Sequence, residues 1–175
     1  MNITITTPQP EDALGMITVL YKTWLNTYPN AEHGITPEDV ETEYAGYFTE
    51  EYIEKYQKRL AQTAEGKMRL VAKIGDNVVG VLSMKESEEN CKLSILYVLP
   101  EHQGKKIGYK LFTEALSRVN KNKDIILSVA HYNQKAISFY KSLGFVETGK
   151  TEEYTLKSGA KITEIEMVLK SSSEK

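Results

Sequence analysis

Two stretches of the chain carry residue types whose spacing could do chemistry. The first, Leu93 to Gly108, reads LSILYVLPEHQGKKIG: an apolar run, a loop holding Gly104, then a helical pattern that opens with Ile107 and Gly108. Glycine lets the backbone approach a ligand closely. The first turn of a helix offers unpaired N–H groups and the positive end of its dipole, so a turn of this kind suits an anion, phosphates above all. Lys105, Lys106 and Lys110 add positive charge nearby. The same turn can also do no more than join a strand to a helix. Two other phosphate loops are excluded: the Walker pattern fails because Gly108 is followed by Tyr109 and Lys110, and the dinucleotide fingerprint needs a third glycine.

The second stretch is Asn133 to Phe145, NQKAISFYKSLGF. Asn133 stands where a strand gives way to a helix, and Tyr140 follows two turns later on the same helix face. A phenol at the mouth of a cleft can donate a proton. Its ordinary pKa of about 10 suits re-protonation of a thiolate leaving group. An aromatic at this spacing also serves as core filler.

Composition limits what these segments can belong to. The 175 residues carry 22 Lys+Arg against 24 Asp+Glu, a formal net charge of −2, and are 41% hydrophobic. That is material for one domain with a real core. The near-neutral balance argues against a general nucleic-acid binder, and no apolar run reaches the ~20 residues of a membrane helix. The N-terminus lacks a basic segment followed by an apolar one, and Cys91, the single cysteine, can form neither an internal disulfide nor a metal site by itself. The expectation is a soluble, cytoplasmic, metal-free protein. Charge is uneven, however: residues 1–66 hold 11 Asp/Glu and 4 Lys/Arg, whereas residues 67–175 hold 13 and 18. Two surfaces meeting ligands of opposite sign would explain this, as would solvated acidic helix faces.

The elements that must position the two segments follow from periodicity. Ile3–Thr6 alternates as a strand, and a helix runs from Pro10 to about Tyr28 on Leu14, Ile17, Leu20, Tyr21, Trp24 and Leu25. Thr36-Pro37-Glu38-Asp39 starts a second helix, and a third covers Glu50–Ala64. The period then changes. Strands are expected at Arg69–Ile74 and Val78–Met84 around a Gly75-Asp76-Asn77 turn, then, after a turn at Lys85–Asn90, at Leu93–Leu99. A helix from Ile107 to about Asn120, a strand Ile125–Val129, a helix Asn133–Leu143 and closing strands Phe145–Thr151 and Ile162–Leu169 complete the order. This is a mixed α/β (α+β) layer with one sheet, a single domain over residues 1–170 and a frayed tail at 171–175.

Taken together and in this order, the two segments resemble the GNAT superfamily of N-acetyltransferases. Its loop [QR]-x-x-G-x-[GA] is matched by Gln103-Gly104-Lys105-Lys106-Ile107-Gly108, and its N-x-x-A-x-x-[FL]-Y-x-x-x-G-F by Asn133, Ala136, Phe139, Tyr140, Gly144 and Phe145. One departure stands out: Lys106 occupies the loop's first consensus glycine. The resemblance implies a mostly antiparallel sheet of about seven strands, splayed between the fourth and fifth, and acetyl transfer from acetyl-CoA to an amine. It places the pantetheine arm along Tyr97, Val98 and Leu99 and the pyrophosphate on the backbone of Gln103, Gly104, Lys105, Lys106, Ile107, Gly108 and Tyr109. Asn133 would hydrogen-bond the pantetheine, Ala136 would also contact the cofactor, and Tyr140 would protonate the departing sulfur. A backbone N–H near Val98 would polarise the thioester carbonyl.

The general base is not specified. The strand positions where many relatives carry glutamate hold Lys92 and Ser94; His131 and the Glu86/Glu88/Glu89 group are substitutes, as are a water chain or an amine that arrives neutral. On the acceptor side Trp24 and Tyr28, four residues apart, share a face that could line a cleft or belong to the core. The acidic residues between Glu32 and Glu54 favour a cationic acceptor, a small amine, polyamine or protein N-terminus. A non-catalytic CoA-binding sensor is the alternative. Relatives pair or exchange their last strands, which leaves a homodimer open.

Overall fold

Three of the five α-helices among the described residues begin at a residue whose side chain caps them, Thr36, Thr49 and Asn133. In the computed structural model, which describes residues 2–62 and 65–171, Pro10–Asp12 forms a 3-10 turn that leads into α1 (Ala13–Thr27). Thr36 and Asp39 form a reciprocal capping box on α2 (Pro37–Glu43), the Thr36 N–H and hydroxyl each lying 2.8 Å from Asp39 Oδ2. Thr49 caps α3 (Glu50–Ala61). The expected end of α3 at Ala64 lies outside the described residues, as do residues 172–175 of the expected tail.

Seven strands form one sheet: β1 (Thr4–Thr6), β2 (Lys67–Ile74), β3 (Asn77–Glu86), β4 (Asn90–Val98), β5 (Asp124–Ala130), β6 (Val146–Thr155) and β7 (Lys161–Leu169). Their order is β1-β2-β3-β4-β5-β7-β6, antiparallel throughout except for the parallel β4–β5 pair. Between them come α4 (Ile107–Leu116) and α5 (Gln134–Ser142). Several expected boundaries shift. Lys85, Glu86 and Asn90 belong to strands, because ladder hydrogen bonds carry β3 and β4 past the apolar run, leaving Ser87–Glu89 as the turn. The helix expected to reach Asn120 stops at Leu116, where the Ser117 hydroxyl bonds the Glu114 carbonyl at 2.7 Å and competes with the helical ladder. β6 extends to Thr155, its later residues being polar but fully paired to β7.

α4 packs on one face of the sheet and α1 on the other. Gly80 makes the first contact possible: a β-carbon there would stand 3.1 Å from Leu111 and 3.3 Å from Ile107. Around that face lie Leu82, Met84, Phe112, Phe145 and Met167, all fully buried. A second buried cluster, Tyr28, Ile35, Val40, Tyr44, Ala130, Leu156 and Ile162, ties α1 and α2 to β5 and the β6–β7 hairpin. Glu43 locks this junction. It is buried and accepts the Lys157 N–H at 2.9 Å and the Tyr154 hydroxyl at 3.2 Å.

Two local departures shape the centre of the sheet. Ser83 faces Ile95 and Met84 faces Leu93, so Ser94 is an extra, bulged residue in β4. Beyond the strand, Gly104 (φ 76°) and Lys106 (φ 60°) both adopt left-handed backbone, and among the described residues Lys106 is the only non-glycine to do so. That conformation costs a side-chain-bearing residue about 1–2 kcal/mol. Lys106→Gly is therefore expected to raise the melting temperature of the ligand-free protein by about 2–4 °C. An unchanged or lowered value in a calorimetric scan would contradict the strain.

Candidate active site

β4 and β5 pair only through Asn90–Lys92 and Asp124–Ile126, after which they diverge. The divergence leaves a wedge open to both faces of the sheet, with backbone polar groups of β4 on its rim. Leu99 N–H turns back to the Val79 carbonyl at 2.9 Å, whereas the Val98 carbonyl accepts from Gln103 Nε2 at 3.0 Å and from the Thr23 hydroxyl. N–H and C=O of one strand residue point the same way, so the Val98 N–H also faces the wedge. A cavity of about 810 Å³ fills it, walled by β4 from Leu93 to Val98, by Ser128 and Val129 of β5, by the loop into α4 and by α5.

At one end the cavity meets the loop. The N–H groups of Gly104, Lys105, Lys106, Ile107, Gly108 and Tyr109 have no protein partner among the described residues; the first helical bond is Lys110 N–H to the Lys106 carbonyl at 3.0 Å. A run of free donors with two left-handed residues among them and a helix start behind is a backbone nest suited to an anion, and five of the six residues line the cavity. Lys106 satisfies in strained form the backbone geometry for which the resemblance expects glycine. Gly108 is the close-packed member: a β-carbon there would touch Phe139 at 3.4 Å. Lys135 stands over the same end, its Nζ 2.5 Å from Gln103 Oε1.

Tyr140 is held from both directions. Asn133 caps α5, its Oδ1 accepting the Ala136 N–H at 3.1 Å. At the other end Gly144 (φ 96°) closes a Schellman motif, with Gly144 N–H bonded to the Lys141 carbonyl and Phe145 N–H to the Tyr140 carbonyl. The ring of Phe145 packs 5.7 Å from that of Tyr140 and 5.7 Å from Phe112. The glycine and phenylalanine at the end of the motif thus fix the tyrosine. Its hydroxyl has no hydrogen-bond partner among the described residues, and the side chain lines the cavity. Burial, then the neighbouring Tyr97 phenol, pushes its pKa well up, so the phenol keeps its proton at every working pH.

On the opposite face the Tyr28 and Tyr97 hydroxyls meet at 3.1 Å, and burial raises both their pKa values. Of the residues singled out from the sequence, Tyr28, Tyr97, Val98, Gln103, Gly104, Lys106, Ile107, Gly108, Tyr109, Asn133, Ala136 and Tyr140 line the one cavity. Four lie outside its lining. Leu99 is buried on the α1 side, and Lys105 turns its ammonium to the Glu101 carbonyl at 2.9 Å. Trp24 stacks on Tyr28 at 4.2 Å within a ring of Tyr44 and Tyr154. His131 sets Nδ1 3.0 Å from the Thr163 carbonyl, with His33 4.6 Å away edge-on. Ser94, Ser128 and Lys135, which the sequence did not single out as site residues, line the cavity. The alternation of β5 and the helical turn after Asn133 are the signals that place Ser128 and Lys135.

The arrangement accepts a long ligand with a diphosphate at one end and an extended amide-bearing arm that can pair with β4. The six free N–H groups and the wedge fit coenzyme A in this respect. No group of three or more His, Cys, Asp or Glu that could hold a metal occurs among the described residues.

Comparison with known proteins agrees. A family model described as an acetyltransferase (GNAT) domain matches residues 34–169. A spermidine N(1)-acetyltransferase of Thermoplasma acidophilum is 33% identical over an alignment covering 58% of this chain and 72% of that protein. The crystal structure of PaiA N-acetyltransferase from Thermoplasma acidophilum in complex with coenzyme A superposes with a TM-score of 0.62 at 26% identity, covering 98% of this chain and 99% of that one. YncA from Salmonella typhimurium, solved with its cofactor acetyl-CoA, shares the fold at a TM-score of 0.66 and 21% identity, with 97% and 94% coverage. The family model spans most of the chain, and the chain belongs to the GNAT superfamily of acetyl-CoA-dependent N-acetyltransferases.

Proposed function

We propose that the protein moves the acetyl group of acetyl-CoA directly to a primary amine of a small, cationic, polyamine-like molecule, both substrates being bound at once. The observation that carries this reading is the nest of free N–H groups at residues 104–109 opening onto the wedge beside Tyr140. A thioester is already activated, so the protein has three tasks: to hold it, to polarise its carbonyl and to supply a proton to sulfur. The nest would hold the pyrophosphate, and Lys135 and Lys106 would add charge at its rim. The Val98 N–H would take the carbonyl oxygen. Tyr140 would give its hydroxyl proton to sulfur as the carbon–sulfur bond breaks, and would regain one from the nitrogen through water.

The polyamine class rests on two supports, the similarity to a spermidine N(1)-acetyltransferase and the chemistry of the acceptor face. Aromatic rings of Trp24, Tyr28, Tyr44 and Tyr154 gather there, and Glu152, Glu164 and Glu166 alternate with apolar residues on the same sheet face. A ring cluster beside carboxylates suits an alkylammonium. Lys157 shows the preference internally, its ammonium lying 4.5 Å over the Tyr47 ring.

Thiol release from acetyl-CoA, measured against polyamines, amino acids, aminoglycosides and basic N-terminal peptides, should be fastest with polyamines. Coenzyme binding with no thiol release from any amine would instead support a sensor. Gly108→Trp should fold normally yet bind CoA at least 10-fold more weakly by calorimetry, because the indole would fill the space beside Phe139; unchanged affinity would contradict the nest. Tyr140→Phe should lower kcat about 100-fold with little change in the KM for acetyl-CoA. Equal turnover across the pH range would remove its role as acid.

A further inference from the structure

Glu164 is a charged residue in a place that burial makes costly. It lies on β7 directly opposite Ala130 of β5 and Glu152 of β6, on the face that carries α1. Its neighbour on that face, Ile162, belongs to the buried cluster with Tyr28 and Tyr44. Glu164 is itself half-buried, yet its carboxylate has no hydrogen bond or ion pair among the described residues. Its companions are all engaged. Glu152 accepts the Ser128 hydroxyl at 2.5 Å, Glu166 pairs with Lys150 at 3.3 Å and accepts the Thr148 hydroxyl, and Glu43 is clamped by Lys157 and Tyr154. A half-buried carboxylate left unpaired wants either a proton or a cation.

Its position says which cation. The strand register sets Glu164 two residue pairs beyond Ser128 and one beyond Val129, both of which line the cavity, in the stretch where β5 has left β4. Tyr28, Tyr97, Tyr132 and Tyr154 all feel its charge, so it faces the space between α1 and the β5–β7 edge rather than bulk water.

We infer that Glu164 receives the acceptor's ammonium group at the open edge of the wedge and takes a proton from it, so that a neutral amine reaches the thioester. This rests on the amine-acetylation reading above. The proton balance is simple. One N–H proton of the ammonium passes to the Glu164 carboxylate and on to water; the freed nitrogen lone pair forms the carbon–nitrogen bond as the carbon–sulfur bond breaks. A second nitrogen proton replaces the one that Tyr140 gives to sulfur. Acetylated amine, free thiol and one proton in solution result.

The surroundings tune the group for the task. Burial, then the opposing Glu152 carboxylate on β6, raises the Glu164 pKa, while Lys92 on β4 pulls it down. The tyrosines facing it, Tyr28 on α1, Tyr97 on β4, Tyr132 after β5 and Tyr154 on β6, all have raised pKa values and stay neutral beside it. A raised carboxyl pKa keeps the base protonated, and inactive, to a higher pH than usual. Activity should therefore rise with pH along an acid limb centred above the ordinary carboxylate range.

Two measurements on the full chain test this: the pH profile of kcat/KM for spermidine acetylation, and calorimetric binding of spermidine to protein saturated with CoA. Glu164→Gln should lose the acid limb, fall about 100-fold in kcat/KM near neutral pH and bind spermidine at least 10-fold more weakly, with CoA affinity unchanged. Glu164→Asp should recover part of both, and Glu114→Gln, which removes an exposed ion pair with Arg118 outside the cavity lining, should resemble the parent protein. A Glu164→Gln protein that keeps the parental acid limb and spermidine affinity overturns the inference while leaving the acetyltransferase reading intact. If the parent binds spermidine through Glu164 but releases no thiol, the proton-transfer role falls with the transfer reading, and a cation site alone remains.

Discussion

Everything in this molecule depends on the parting of two strands. β4 and β5 share only three residue pairs before diverging, and the backbone groups that a continued ladder would have consumed are left facing a cavity. An interrupted sheet is costly, since buried peptide groups need partners. The fold meets part of the demand internally, through Gln103 and Thr23 on the Val98 carbonyl. The rest is available to an extended ligand that behaves as an added strand. The Ser94 bulge re-aims β4 at this point, and Gly80 lets α4 seat itself closely enough to put its first turn at the cavity's end.

The two halves of the site are held by different means. The end proposed to take phosphate is almost wholly backbone: N–H groups oriented by Gly104, Lys106 and the start of α4. Backbone cannot change rotamer, so this end is preorganised, and the surrounding structure holds Lys106 in its left-handed conformation against the strain. The acceptor end is side chain, built from aromatic rings and carboxylates that the second buried cluster gathers between α1 and the β6–β7 hairpin. Glu43 belongs to that scaffold. It was among the acidic residues expected to attract a cation, but it fastens the hairpin to α2 instead. On the face proposed for the acceptor the carboxylates are Glu152, Glu164 and Glu166, in the part of the chain that is basic overall.

Much of this was legible in the sequence because local chemistry leaves local signs. Thr36 with Asp39, Asn133 with Ala136, and Gly144 with Phe145 each announce a helix end, and each makes the bonds its type permits. Lys106 was visible as a residue in a glycine's place, and its positive φ is the physical meaning of that mismatch. What stayed hidden depends on long-range register. Nothing near Glu164 in the chain reveals that it stands opposite Ala130 and Glu152. The period-two pattern did carry a clue, since Glu164 shares a face with the buried Ile162. Strand ends were misread where ladder bonds carried polar residues such as Glu86 and Asn90 into the sheet. Trp24 illustrates the same limit: helical spacing could not separate a cleft wall from a core position, and stacking on Tyr28 places it behind the wall.

The central claim is that backbone donors at residues 104–109, rather than lysine side chains alone, grip the coenzyme's diphosphate. Amide-resolved NMR on isotope-labelled protein titrated with CoA addresses this most directly. The account predicts large downfield amide shifts and strong protection from hydrogen exchange at Gly104, Ile107, Gly108 and Tyr109, persisting in high salt. Saturating CoA that leaves those amides unshifted and freely exchanging would contradict it.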